Sequence, residues 1–436
     1  MALAPAARSR RRSELSLGLL VVITTVGGYI LVALANGPTL PPDLYALLAW
    51  VFGLYLVAHL AIRRFAPFAD ATLLPLAALL NGIGFVTIAR LDRDQARVQS
   101  LWVAISIAVF VITLSVVRDV RVFERYRYTV AFLGVAALLV PLLPGIGRTI
   151  NGSRLWVAIG SLTFEPSEIA KVLLVAFFAA YLVDKRELLT YGRIRLGRWF
   201  VPSPRDLGPL LLAWGMALLV LGYEQDVGTS LLFFGVFAAM LYMATRRGAY
   251  LIGTLVLLAI GSVFAYHAFG HVRVRVDTWL NPWTDAQNHG FQIIQSWYAF
   301  GSGGVGGTGL GLGSPKLIPN AATDFVFSAI GEELGLVGTI GVLAAFMLLI
   351  GSAYRIAVDA TRSFEQLFAA GIATILGFQA FLIIGGVTRV IPLTGITLPF
   401  VSYGGSSLVA NFALLAILLR ISNDSARERA APDGER

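Results

Sequence analysis

The chain has no cysteine among its 436 residues, and only four histidines. The first absence excludes disulfides, Fe–S clusters, thiolate zinc and cysteine nucleophiles. The second leaves little room for a histidine-rich metal centre. Charge is scarce as well: Asp, Glu, Lys and Arg make up 14% of the residues, where soluble domains run at about a quarter. Hydrophobic residues supply 57%, and many form unbroken runs of about 20, enough for a helix to cross a hydrocarbon core of about 30 Å. These runs do not alternate in character, which excludes a β-barrel. The composition defines an all-α polytopic membrane protein.

Charged and Pro/Gly breaks divide the apolar runs into twelve expected helices, at 16–36, 43–62, 71–89, 98–117, 128–146, 168–183, 207–222, 228–245, 249–268, 324–353, 364–388 and 402–419. The first follows a basic stretch (Arg8, Arg10, Arg11, Arg12) and has no small-residue cleavage site, so it reads as a retained anchor. With the N-terminus inside, 24 of the 34 Lys and Arg fall on inner segments and 9 on outer ones. That bias places both termini, the basic tail 1–15 and the tail 422–436, in the cytoplasm. The net charge of +9 is then a topology signal and an attraction to anionic lipid, not a nucleic-acid surface.

The inner connections are plain and basic, as in Asp184-Lys185-Arg186-Glu187 and from Arg193 to Arg205. The outer face holds the unusual residues. Arg148 to Lys171 runs as a loop with Arg154 and Trp156, then Pro166-Ser167-Glu168 at a helix start. Glu168 suits the positive end of a helix dipole. Lys171 lies one turn on in an apolar helix and needs a partner or a polar cavity, which suggests a Glu168–Lys171 pair. In the turn from Tyr223 to Ser230, Asp226 either N-caps the next helix or joins Glu224 in receiving a metal ion or cationic group. The long connection 269–323 carries Arg273, Arg275, Asp277 and Asp285, a short amphipathic helix expected from Phe291 to Phe300, and eight glycines from Gly301 to Gly313. That glycine run lacks the Gly-Lys-Ser/Thr of a P-loop; it either approaches a phosphate through backbone N–H groups or serves as a hinge. Glu332 and Glu333 lie within the tenth helix, where a carboxylate needs a partner. Pro392, Pro399, Gly404 and Gly405 predict a broken or re-entrant segment between the last two helices.

Together, FEPSEIAK, the Asp-Val-Gly-Thr-Ser turn, the Asn-Pro to Gln-Ser loop, TDFVFSAIGEELG and PLTGITLPFVSYGGSS resemble the SEDS family (shape, elongation, division and sporulation proteins such as RodA, FtsW and SpoVE). The resemblance covers roughly residues 71–421. It implies a ten-helix core that polymerises lipid II into glycan strands with a class B penicillin-binding protein transpeptidase. The two helices in 16–62 are then additions to that core, and 269–323 its large extracytoplasmic loop. Gly385-Gly386-Val387-Thr388 is similar to actinobacterial elongation-type members, and Thr394 stands where many division-type members have lysine and sporulation-type members also have threonine. The chain departs from the family pattern in three places. Ala286-Gln287-Asn288-His289-Gly290 follows Asp285, Ala322 replaces the histidine before Thr323-Asp324-Phe325, and Val387 replaces an asparagine.

For the transfer of one lipid-linked sugar to another, the resemblance implies Asp285 as general base; the plain alternative is a turn residue after Asn281-Pro282. Lys171, Arg154 and Arg389, with Arg273 or Arg275, are implied to hold the pyrophosphate. A divalent cation (Mg or Mn) is a further expectation, with Glu168, Asp226 or Glu332 as candidate ligands. Trp156, Gln292, Ser296, Asp324, Ser402 and Ser406 complete the implied substrate contacts, which include undecaprenyl-linked glycan. The α-linked donor sugar and the β-linked product that the resemblance implies predict inversion in a single displacement, in which a second, nucleophilic carboxylate is not needed. A lipid II flippase, or a division-type polymerase of the same family, is the competing reading. A transporter would spread its charges through the membrane instead of gathering them on one face.

Overall fold

The computed structural model describes residues 5–37, 44–150, 153–160, 162–191, 194–196, 199–201 and 204–430. The ends of the two expected tails, Asn151 and Gly152, and parts of the basic connection from Arg193 to Arg205 lie outside the described residues.

In chain order the elements are α1 (Pro5–Asn36), α2 (Leu44–Phe65), α3 (Leu73–Leu91), α4 (Arg93–Val116), α5 (Arg121–Arg125), α6 (Arg127–Leu139), β1 (Gly147–Ile150), β2 (Ser153–Ile159) and β3 (Leu162–Phe164). There follow α7 (Ser167–Asp184), α8 (Arg186–Tyr191), β4 (Ile194–Leu196), β5 (Trp199–Val201), α9 (Pro204–Tyr223), α10 (Val227–Thr245), α11 (Gly248–Ala268) and α12 (Gly270–Leu280). The last four helices are α13 (Phe291–Gly303), α14 (Val326–Asp359), α15 (Ser363–Val387) and α16 (Gly405–Ala430). Each of the twelve apolar runs falls on a helix. Among the described residues nine helices are long and apolar enough to cross a membrane. The apolar stretches of α6 and α9 are shorter, and α7, with 18 residues, carries Glu168, Lys171 and Asp184.

Three boundaries differ from the expected ones for local reasons. The run 128–146 stops being α-helical at Leu139, where a 3₁₀ turn over Val140–Leu142 contains Pro141, a residue with no N–H to continue the ladder. The expected loop before α7 is a three-stranded antiparallel sheet in the order β1-β2-β3. Its apolar run Leu155, Trp156, Val157 and Ala158, with an aromatic and a β-branched residue, suits a strand, and Gly160, at φ +64°, opens the turn into β3. The connection expected as 269–323 contains α12 as well as the anticipated amphipathic helix, here α13.

The chain divides into two compact units, one of residues 1–118, 277–355 and 379–436, the other of 119–276 and 356–378. In the first, α1 packs on α3 and α4 on α16. Both contacts rely on glycine: a Cβ on Gly82 would lie 2.1 Å from Thr25 Oγ1, and one on Gly405 2.1 Å from the Trp102 ring. Phe412 sits edge-on to Phe110 and Phe400, at 6.3 Å and 5.4 Å. Buried Arg420 of α16 donates to Phe65 O at the end of α2 and to Leu114 O near the end of α4, pairing a cation with helix C-terminal carbonyls. In the second unit α7 packs on α6 and α10, and α10 on α9. Phe237 stacks on Trp214 at 4.7 Å and meets Phe178 edge-on at 5.4 Å.

Two irregular segments complete the first unit. Residues 388–404 have no helix or strand, as the prolines predict, yet are largely buried from Leu398 to Ser402. Their backbone is satisfied from outside: Asn81 Nδ2 donates to Phe400 O at 3.0 Å, Gln379 Nε2 to Thr397 O at 2.9 Å, and Tyr403 N to Ala322 O at 2.8 Å. The glycine-rich run binds a break in α14, where Gly335 adopts φ +64° and ψ −161°. Leu336 N donates to Gly304 O at 2.9 Å and Val337 N to Val305 O at 3.2 Å, while Thr308 N and Gly309 N donate back to Glu332 O and Glu333 O at 2.9 Å and 3.0 Å. The backbone of the run thus replaces the helical partners that the break removes.

This arrangement makes Gly307 irreplaceable, because it holds φ +82° and a Cβ there would lie 2.2 Å from Glu333 O. Gly307→Ala should destabilise the protein by about 3 kcal/mol or more, whereas Gly306→Ala, with nothing within 4 Å, should change stability by under about 1 kcal/mol. Thermal unfolding of the two detergent-solubilised variants beside wild type measures the contrast.

Candidate active site

Asp285 ends a 3₁₀ turn, Pro282–Asp285, that Asn281 caps by accepting from Trp283 N at 3.3 Å. The chain then doubles back tightly. Gly290 N donates to Asp285 O at 2.9 Å, and a Cβ on Gly290 would lie 2.0 Å from Pro282 O. The altered residues after the acid form its setting. Asn288 Nδ2 donates to Asp285 Oδ1 at 2.8 Å, and His289 Nδ1 lies 2.7 Å from Oδ2, which also accepts from His289 N at 3.2 Å. These bonds, led by that of the His289 ring, hold the Asp285 carboxyl below the usual carboxylate range. Both side chains remain open to solvent, at 41% for Asp285 and 62% for His289. The turn thus presents an ionised carboxylate with a neighbouring imidazole.

Arg389 fastens this loop. At φ +64° it donates through Nε to Trp279 O at 2.8 Å and through Nη2 to Leu280 O at 2.5 Å, and it stacks over Trp297 at 5.0 Å. Trp279 Nε1 returns a bond to Arg389 O at 3.0 Å. Its cation therefore caps the C-terminus of α12 and ties α12 and α13 to the irregular segment. Ser296 and Ser402, expected at the substrate, are buried with hydroxyls used inside the fold. Ser296 Oγ lies 2.7 Å from Ser328 Oγ, and Ser402 Oγ accepts from Leu398 N at 2.9 Å while donating to Thr323 O at 2.5 Å. Gln292 is half-buried one turn before Ser296 on α13, Asp324 is half-buried just before α14, and Ser406 is buried in the first turn of α16. Glu333 pairs with Arg90, Nε to Oε1 at 3.1 Å, and accepts from Gly311 N at 3.0 Å. Glu332 accepts from Ser314 N at 2.6 Å.

The second unit holds the other acids. Lys171 Nζ meets Glu168 Oε2 at 2.6 Å, and Lys171 is 3% exposed, which is the pairing that its apolar helix requires. Asp226 N-caps α10, accepting from Thr229 N at 2.9 Å; burial raises its carboxyl, with the charge of Arg275 opposing. Glu165 accepts from Ser167 Oγ at 2.5 Å, and burial and the nearby Glu168 and Asp226 push its carboxyl up. Arg154 donates to Leu143 O at 2.9 Å from β2, with Trp156 on the same strand opposite Arg148. Arg273 donates to Tyr266 O and His267 O at 3.3 Å and 3.1 Å. No group of three or more metal-ligating side chains occurs among the described residues. Glu165 and His289 received no role from the sequence, and Glu224 only a shared one with Asp226. The signal was present in the doubled acids of FEPSE and YEQD and in a histidine four residues after Asp285.

The family described as cell cycle protein, covering FtsW, RodA and SpoVE, matches residues 71–427, and the chain belongs to it. Within the family the chain is similar to peptidoglycan glycosyltransferase RodA of Mycobacterium tuberculosis, 42% identical over 98% of this chain and 93% of that one. RodA of Mycobacterium leprae is 45% identical over 87% and 83%. Among solved structures, one described as "Structural coordination of polymerization and crosslinking by a peptidoglycan synthase complex" is similar with a TM-score of 0.67 and 28% identity, covering 82% of this chain and 98% of that one. Thermus thermophilus rod shape determining protein RodA is similar with a TM-score of 0.58 and 25% identity, over 84% and 98%. The family match begins at 71, after α1 and α2, whereas the M. tuberculosis likeness extends over nearly the whole chain.

Glu224 gives this acidic region a pH signature. It is buried, and burial followed by the charge of Asp226 pushes its carboxyl from 4.5 up to about 8. A raised carboxyl binds its proton more tightly in the folded state, so its stabilisation is present below the ordinary value and is lost as pH rises through about 8. Thermal midpoints of the solubilised full-length protein should fall between about pH 6 and about pH 9, and Glu224→Gln, which mimics the protonated form, should reduce that fall. An unchanged fall in Glu224→Gln would remove Glu224 as its source.

Proposed function

We infer that the chain is a peptidoglycan glycosyltransferase that polymerises lipid II into glycan strands. The observation that carries this reading is the 42% identity to M. tuberculosis RodA over 98% of the chain. The geometry around Asp285 supplies its chemistry. The 4-hydroxyl of the incoming GlcNAc attacks the anomeric carbon of the growing chain's MurNAc, and its proton passes to the Asp285 carboxylate. The bond from that carbon to undecaprenyl pyrophosphate breaks as the new glycosidic bond forms, and the pyrophosphate leaves with the electron pair. One carboxylate suffices for such an inverting displacement. The hydrogen bonds from His289 and Asn288 favour the ionised carboxylate that the step requires.

The departing pyrophosphate needs positive charge. Lys171, Arg154, Arg273 and Arg275 are our candidates, together with the part of the Arg389 guanidinium not given to Trp279 O and Leu280 O. A divalent cation at Glu168 or Asp226 would share that task; Glu332, the third candidate, stands in a pocket lined by no second carboxylate. Trp156, Gln292, Asp324 and Ser406 are assigned to substrate contact. Ser296 and Ser402 act by positioning, since their hydroxyls bond within the fold. We place the ten-helix core and the two preceding helices across the bacterial cytoplasmic membrane, with both termini inside and Asp285 outside. The partner is a class B penicillin-binding protein transpeptidase, an assignment supported by the likeness to a peptidoglycan synthase complex. The mycobacterial RodA likenesses support a role in elongation and cell shape.

Polymerisation of labelled lipid II by the purified protein and its transpeptidase partner tests the base. Asp285→Ala should lose about 100-fold or more in rate. His289→Ala removes the largest influence that keeps the Asp285 carboxyl low, so the acid limb of its pH–rate profile should move to higher pH. Undiminished glycan from a folded Asp285→Ala protein would remove the assignment.

A further inference from the structure

Glu332 is a carboxylate that the proposed transfer does not require, and its surroundings give it a separate task. It is 7% exposed, and α14 presents it to a pocket between α13 and the glycine-rich run. Gln295, Tyr298 and Ser302 line the opposite wall from one face of α13, and Thr308 and Ser314 line the floor. The lining contains no Lys, Arg or His. The nearest arginine is committed elsewhere: Arg90 pairs with Glu333 at 3.1 Å and donates to Gly313 O at 3.0 Å. Among the described residues no basic nitrogen lies within 4 Å of Glu332, whose Oε1 accepts the Ser314 N–H at 2.6 Å. A carboxylate so buried, with one backbone donor, leaves its remaining acceptor capacity and its charge directed at the pocket.

The lining selects among cations. A divalent metal takes six or more oxygens and commonly more than one carboxylate, and here there is one. A guanidinium is a flat fork that pairs best with the two oxygens of one carboxylate, whereas the other acceptors here are single oxygens of Gln295, Ser302 and Thr308. A primary ammonium is a compact donor of three hydrogen bonds. It is matched by the Glu332 carboxylate, the hydroxyls of Ser302 and Thr308 and the amide oxygen of Gln295, with the Tyr298 ring at the rim for a cation–π contact. Tyr298 also contacts Trp283 edge-on at 6.4 Å, two residues before Asp285. The pocket therefore adjoins the turn that carries the proton acceptor.

We propose that this pocket binds a primary ammonium group on the peptide arm of the sugar substrate, with Glu332 as its counter-ion, and so positions that substrate beside Asp285. The proposal rests on the glycosyltransferase reading. Its test compares lipid II carrying a free peptide amine with the same lipid II acetylated on that amine, which removes the charge. Both are polymerised by the full-length protein with its transpeptidase partner, and KM and kcat are measured separately. Acetylation should raise the wild-type KM by about tenfold or more while kcat changes by less than about twofold. Glu332→Gln, which keeps an acceptor for Ser314 N–H, should raise KM for the free-amine substrate and erase the difference between the two. Ser302→Lys offers a second variant, because Ser302 is exposed at the pocket wall and a lysine there supplies its own ammonium; it too should erase the discrimination. Glycan formed from both substrates with equal wild-type KM, or discrimination retained in both variants, overturns the pocket assignment alone. No glycan from either substrate overturns the transferase reading and the assignment with it.

Discussion

The break in α14 and the glycine-rich run satisfy one another's backbone, and the rest of the first unit's functional region depends on that exchange. Inside a lipid-solvated protein an unpaired N–H or C=O costs several kcal/mol, so a helix interrupted at Gly335 stands only where other backbone arrives to replace its lost partners. Residues 304–309 do so in both directions, accepting from Leu336 and Val337 and donating to Glu332 O and Glu333 O. The same loop then uses the N–H groups of Gly311 and Ser314 to hold the Glu333 and Glu332 carboxylates. Donors of a kind suited to phosphate are spent on the protein's own acids. The consequence is a fixed wall facing α13, which leads back to the turn of Asp285.

Scarce charge sharpens the division between groups that build and groups that act. Arg420 caps helix ends, Arg389 binds the last carbonyls of α12, and Arg90 neutralises Glu333. In α1 and α2, Glu14 is fully buried against His59, at 2.8 Å, and Arg63. Each of these charges meets a partner that burial demands. Asp285 differs because its hydrogen bonds favour the charged form while the side chain stays open. The turn so presents an ionised, accessible carboxylate, the protonation state in which an acid can accept a proton.

Much of this was legible before any coordinates. Apolar runs located every long helix because lipid imposes a length and composition that single residues rarely override. Lys171 announced its pairing with Glu168 by standing in an apolar helix, and the prolines of 388–404 announced an irregular segment. The small sheet before α7 was hidden, since a short strand competes with a loop on weak alternation alone. The role of the glycine run was hidden for a different reason: it answers a break at Gly335, more than 20 residues away in the chain. Arg389 looked like a ligand-binding cation because sequence cannot reveal that the carbonyls of Trp279 and Leu280 lie within its reach.

The most direct measurement uses proteoliposomes containing only the purified protein and its transpeptidase partner, with fluorescent lipid II added to the outer leaflet. The account predicts glycan chains that lengthen with time and undecaprenyl pyrophosphate released in step. Movement of lipid II between leaflets with no glycan formed would contradict it.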